Sequence, residues 1–124
     1  MTQPYKLEVM YNQVAVPAST LSGTVFTAGQ IPAGMRVKNV ELYNSALGAS
    51  VTLSAGVTGS PTLFVNAGAA ASAGKLAMTD TLAGNVGNRD EVTARNVILT
   101  TGGATTAASA QTVDVYVTLV PDYR

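Results

Sequence analysis

From Thr112 to Val120, Val113, Val115, Val117 and Leu119 alternate with Thr112, Asp114, Tyr116 and Thr118. Only an extended strand places every second side chain in the same environment, so this stretch commits the chain to a sheet with one apolar face to cover. The segment from Ile31 to Val57 makes the same demand and reads as two strands joined by a short Gly-containing loop, a hairpin. In its second arm Val51, Leu53, Ala55 and Val57 alternate with Thr52, Ser54 and Gly56. In its first arm Met35 and Val37 share one parity, and Val40 and Leu42 the other. A bulge near Lys38 and Asn39 would put all four on one side.

The rest of the chain supplies short strands separated by turn signals. Tyr5 to Val16 reads as a strand interrupted at Asn12-Gln13, and Thr24 to Thr27 as a short strand ended by Ala28-Gly29. Pro32 and Gly34 suit a tight turn, because proline fixes φ for the first central position and glycine tolerates positive φ. Thr62 to Val65 is a short apolar strand, and Asn66 to Gly74 is an irregular loop of small residues without an amphipathic stripe. Lys75 to Thr79 is an edge strand, followed by loop from Asp80 to Glu91. Val92 to Thr100 is a strand with apolar residues on both faces, which leaves its buried side open. About eight strands, with turns roughly every 8–12 residues and no helical period, define an all-β chain, a sandwich in preference to a barrel.

Composition narrows function. Charged residues are 11% of the chain, against about 25% in an ordinary soluble domain, and formal net charge is zero. No segment concentrates Lys or Arg, so neither nucleic acid nor an anionic membrane finds an electrostatic footprint. The chain has no His and no Cys, which removes the commonest general base, the commonest transition-metal ligand and the thiolate nucleophile. Asp90 and Glu91 are adjacent and would face opposite ways on a strand, unsuited to paired acid and base work. Asn85, Asn88, Asp90 and Glu91 offer oxygen ligands without EF-hand spacing and with Arg89 among them, so a solvated loop is the stronger reading. Gly102-Gly103 lacks the Lys-Ser/Thr of a phosphate-binding loop. The reading is therefore no enzyme, no catalytic residue, no cofactor and no metal. One domain over 1–124 is expected, with extended terminal segments at 1–6 and 121–124.

What remains is contact. Tyr116 projects from the polar face of the last strand, and Tyr5 and Tyr123 lie near opposite termini, where ordered tails would reach a neighbour. Pro32, in the turn that opens the segment from Ile31 to Val57, and Ala46, Leu47 and Ala49, in its loop, are the other candidate partner contacts.

From Val25 to Val120, the runs IPAGMRVKNVELYNSALGASVTLSAGV and VILTTGGATTAASAQTVDVYVTLV resemble small structural proteins of tailed bacteriophages found with the head genes. The shared pattern is a Pro-Ala-Gly turn into a strand, a strand of the form LGxSVTLSxG, and a Thr/Gly/Ala segment before a last valine-alternating strand. The resemblance implies a jelly-roll-like antiparallel β-sandwich that decorates or cements an assembled capsid, with the major capsid protein as partner. It carries over no functional residue. The expected location is the capsid surface of the virion, after synthesis in the host cytoplasm, without nucleic acid or membrane as partner. Closed symmetry at a local three-fold position would make the protein a homotrimer. The alternatives are a receptor- or glycan-binding module of a fibre or tail, and a head-completion or tail structural subunit.

Overall fold

The computed structural model describes residues 8–33, 35–78, 89–90 and 94–121, with the side chains of residues 36, 89–90 and 120–121 left aside. Nine strands are present and no helix among the described residues: β1 (Glu8–Val16), β2 (Val25–Ile31), β3 (Met35–Asn44), β4 (Thr52–Val57), β5 (Ser60–Ala69), β6 (Gly74–Ala77), β7 (Arg89–Asp90), β8 (Arg95–Gly102) and β9 (Gln111–Pro121). They form two antiparallel sheets. One has the order β1-β9-β3-β6, with the two-residue β7 also paired to β3, and the other has the order β2-β8-β4-β5. The pairs β1 with β9, β2 with β8, β3 with β6 and β4 with β5 are nested one inside the next along the chain. That nesting is the jelly-roll-like arrangement of a β-sandwich. Among the described strands, β4 and β5 are the one consecutive pair that forms a hairpin.

The central segment is therefore not a hairpin. β3 lies in one sheet and β4 in the other, and residues 45–51 carry the chain across the edge of the sandwich. The reason lies in the faces. Val40 and Leu42 of β3 and Leu53, Ala55 and Val57 of β4 are all fully buried. Both strands thus bring a full apolar row to one interior, and facing the rows toward each other from two sheets removes more apolar surface from water than laying the strands side by side. The parity break in β3 is a bulge: its register against β9 shifts between Val37 and Asn39, so Val37, Val40 and Leu42 all point inward while Lys38 is exposed.

Other boundaries also differ from the sequence reading. β1 runs unbroken through Asn12-Gln13, in continuous register with β9 from Glu8↔Leu119 to Val16↔Gln111. Asn12 supports the strand instead of breaking it, donating from Nδ2 to the Ala28 carbonyl at 2.9 Å. β2 does not stop at Ala28-Gly29 but passes through an irregularity there and continues to Ile31. β5 extends to Ala69 through half of the supposed loop, because Gly68 and Ala69 pair with Leu53 and Thr52 and the Ala67 N–H donates to Ser54 Oγ at 2.9 Å. Side chains this small leave no periodic trace. In β8 the buried face carries Val97, Leu99 and Thr101, and Ile98 lies half-buried on the other side.

The core is aliphatic, with Phe64 as its one fully buried aromatic side chain among the described residues. Leu47 belongs to it, which corrects its placement among the partner contacts. Its side chain is fully buried, its N–H donates to the Ala70 carbonyl at 3.0 Å, and its own carbonyl accepts from the Ala107 N–H at 2.8 Å. At the neighbouring Gly48, φ is +122° and a Cβ would sit 2.9 Å from the Ala107 nitrogen, so the backbone approach at this point requires glycine. Truncation of a buried leucine removes transfer energy and leaves a cavity, so Leu47→Ala should cost about 2–5 kcal/mol, read as a lowered urea midpoint with an unchanged slope. A change within about 0.5 kcal/mol would mark Leu47 as a surface residue.

Candidate interaction surfaces

Two surfaces stand out, one made of backbone and one of side chains. The first is the end of the sandwich at which the connections 17–24, 45–51, 70–73 and 103–110 meet. Hydrogen bonds tie these segments to each other: Ser19 N–H to Ala107 O at 2.8 Å, Thr106 N–H to Thr20 O at 2.9 Å, and the two bonds of Leu47. Asn44, buried at the end of β3, donates from Nδ2 to Ser45 O at 2.9 Å and to Ser72 O at 3.0 Å. Thr20 N–H donates to Thr106 Oγ1 at 2.7 Å, and the Thr20 hydroxyl to Pro17 O at 2.7 Å. The four segments contain no Asp, Glu, Lys or Arg. Ala46 and Ala49 are both exposed here, together with Leu21, which is 68% exposed. The result is a surface without charged side chains, cross-linked by backbone bonds at Ser19, Thr20, Leu47, Thr106 and Ala107, and covering it strips no ionic group of its hydration.

The second surface lies on the outer face of the β1-β9-β3-β6 sheet. Tyr11 stands opposite Tyr116 in register, and Tyr43 opposite Asp114 on one side and Lys75 on the other. The rings of Tyr11 and Tyr116 are 4.9 Å apart and tilted, and Tyr43 meets Tyr116 edge to face at 5.6 Å. Lys75 Nζ sits 5.8 Å from the centre of the Tyr43 ring and 3.0 Å from Glu41 Oε2. Asp114 Oδ1 accepts from the Tyr11 hydroxyl at 2.9 Å and from Gln13 Nε2 at 3.1 Å. Tyr116 is thus a half-buried member of a cross-strand row, flanked by the tyrosines of β1 and β3. Sequence reasoning singled out Tyr116 and passed over Tyr11 and Tyr43. The available signal was that each tyrosine has the outward parity of its own strand.

The remaining candidates do not join either surface. Pro32 is exposed in the turn between β2 and β3, where its carbonyl accepts from the Met35 N–H at 3.3 Å; that turn follows the end of β2, whereas 17–24 leads into its start. Tyr5 and Tyr123 lie outside the described residues, as do Asn85, Asn88, Glu91 and the side chain of Asp90. Among the described residues no group of three or more His, Cys, Asp or Glu side chains is gathered as a metal site would need.

The ionisable groups of the tyrosine face are solvent-accessible and act on one another. The hydrogen bond to Asp114 is the main reason the Tyr11 phenol titrates above its ordinary value, and desolvation and the Asp114 charge add to it. The hydrogen bond from Lys75 holds the Glu41 carboxyl low, and Glu41 holds the Lys75 ammonium high. The Glu41 contribution is therefore present above the unfolded carboxyl value and lost as pH falls through the folded one. For Lys75 it is present below the unfolded value and lost as pH rises through the folded one. Both side chains are partly exposed, so the pair is a small, salt-screened contribution.

No protein-family model matches the sequence, and no curated protein does. Similarity of fold is extensive. A chain of the cyanophage Pam1 capsid asymmetric unit superposes with a TM-score of 0.81 at 22% identity, over 98% of this chain and 92% of that one. A chain of the Ralstonia phage GP4 capsid gives 0.73 at 14% identity, over 94% and 86%. A chain from the acidic stable capsid of the Helicobacter pylori bacteriophage KHP30 gives 0.61 at 12% identity, over 97% and 95%. The class so defined is a β-sandwich fold shared with chains of phage capsids, as the resemblance in the sequence implied.

The raised Tyr11 phenol supplies a direct check. Following phenolate absorbance through alkaline pH, Tyr11→Phe should remove the late-titrating component, and Asp114→Asn should move it to lower pH. An unaltered late component in both variants would show that the Tyr11–Asp114 bond does not form in solution.

Proposed function

We propose that the chain is a structural protein of a tailed-phage virion, a decoration or cement protein that binds the outer surface of the assembled head through non-covalent contacts with the major capsid protein. The observation that carries this reading is the fold match over nearly the full length of both chains, at a TM-score of 0.81, with a chain of the Pam1 capsid. The chemistry of the sequence is consistent with it: a chain without His or Cys, with 11% charged residues, is poorly equipped for catalysis and well suited to covering surface. A non-enzymatic role follows from the same reading.

The uncharged four-loop end is the surface we assign to the shell, with Ala46 and Ala49 as contacts. Its loops are already bonded to one another, so docking orders little backbone and little entropy is lost. A glycan-binding role draws support from the exposed tyrosines, but the row is largely self-occupied. Tyr116 packs between Tyr11 and Tyr43, and Lys75 lies near the Tyr43 ring.

Particles carrying the protein should survive heat and low salt better than particles lacking it, scored as intact heads or retained infectivity. Equal survival would contradict a cement role. Ala46→Trp and Ala49→Trp should abolish particle binding while leaving the thermal melt of the isolated protein within a few degrees. Retained binding by both would move the contact away from the four-loop end.

A further inference from the structure

A sandwich with two open sheets has four edges, and among the described residues they are formed by β1, by β6 with the two-residue β7 beside it, by β2 and by β5. Exposed edges invite pairing with other chains, and folded proteins ordinarily blunt them. Three of these are blunted. β2 carries a register shift between Thr27 and Gln30, with Gly29 at φ +126°. β5 has two register shifts against β4 and holds Pro61 near its start. β6 is four residues long and presents Lys75.

β1 has none of these devices. It is nine residues long, unbroken in register, free of proline, and carries one charge, Glu8, at its first position. Among the described residues only β9 pairs with it. Of the five large exposed apolar side chains among the described residues, two are on its outer face, Val9 at 60% and Tyr11 at 49% exposure.

We propose that β1 is the self-association edge of the protein, pairing antiparallel with β1 of a second copy across a two-fold axis. Full overlap of the strand with itself fixes the register, setting Asn12 against its own counterpart. Residues of like parity then face one another, as a continuous sheet requires. Val9 lies across from the partner's Ala15, and Tyr11 across from the partner's Gln13. Glu8 lies across from the partner's Val16, so no like charges meet. The overlap places apolar Val9 against Ala15 and Met10 against Val14, and sets no charge against a like charge. The pairing extends the tyrosine row of one copy toward that of the other, and because the contact is isologous it closes after two copies. It does not depend on the shell reading, since it is a property of the isolated chain; failure of either leaves the other standing.

The test is the mass of the full-length protein in solution by sedimentation, with variants that address the register. The unaltered protein should sediment as a concentration-dependent dimer. In Val9→Lys/Ala15→Lys the new charges face each other twice across the axis, and dissociation should become at least about tenfold easier, equivalent to about 1.4 kcal/mol. Mixing that variant with Val9→Glu/Ala15→Glu should restore dimers, all heterodimeric, with thermal melts showing each variant folded. Ala77→Lys, on the β6 edge, should leave the dimer intact. A monomer at all accessible concentrations, a trimer, or absence of rescue on mixing would overturn the proposal. Should the double-lysine variant fail to fold, the acidic variant alone carries the same expectation.

Discussion

Leu47 fixes the passage of the chain between the two sheets, and much of the molecule is arranged around that passage. Its side chain completes the core at the point where β3 ends and β4 has yet to begin. Its backbone joins the 45–51 connection to residue 70 on one side and residue 107 on the other. Six of the eight connections between the described strands cross from one sheet to the other, and each crossing exposes backbone that no ladder satisfies. At the end where four crossings come together, the bonds of Leu47, Asn44, Thr20 and Thr106 take the place of the ladder. Small residues let the loops approach closely, as at Gly48, where a Cβ would sit 2.9 Å from the Ala107 nitrogen.

That constraint connects fold to proposed role. A head-surface protein needs area that a neighbour can cover at low desolvation cost and that does not reorganise on contact. The four-loop end is uncharged, and bonds at Leu47, Thr20 and Thr106 tie its loops together, which is what the proposed role asks of it. The charged residues of the described strands are placed elsewhere, as with the Glu41–Lys75 pair and Asp114 on the tyrosine face. The row Tyr11, Tyr116, Tyr43 links β1, β9 and β3 from outside, opposite the apolar rows of Val113, Val115 and Val117 that hold the same strands from inside. These three strands are thus held by side-chain contacts on both faces.

The strands with large side chains on one parity are legible in the sequence. β9 alternates through its length, and the parity break in β3 marks its bulge correctly. Strand partners are not legible, because two apolar rows read the same whether they lie side by side or face each other across a core. That is why the segment from Ile31 to Val57 reads as a hairpin when it is an arch. The end of β5 is invisible for another reason. Asn66, Ala67, Gly68 and Ala69 pair through the main chain and present too little side chain to make a pattern. Among the residues proposed as contacts, Ala46 and Ala49 are exposed as a loop suggests, whereas Leu47 between them is the buried anchor, a distinction visible only once the crossing is known.

The central claim is that this sandwich coats a head, and copy number in purified particles tests it most directly. Quantified against the major shell protein by mass spectrometry with labelled standards, the chain should be present in amounts comparable to the shell subunit, reflecting occupancy of repeated surface positions. A few copies per particle, the stoichiometry of a ring or fibre at a single vertex, or absence from the particle would contradict the account.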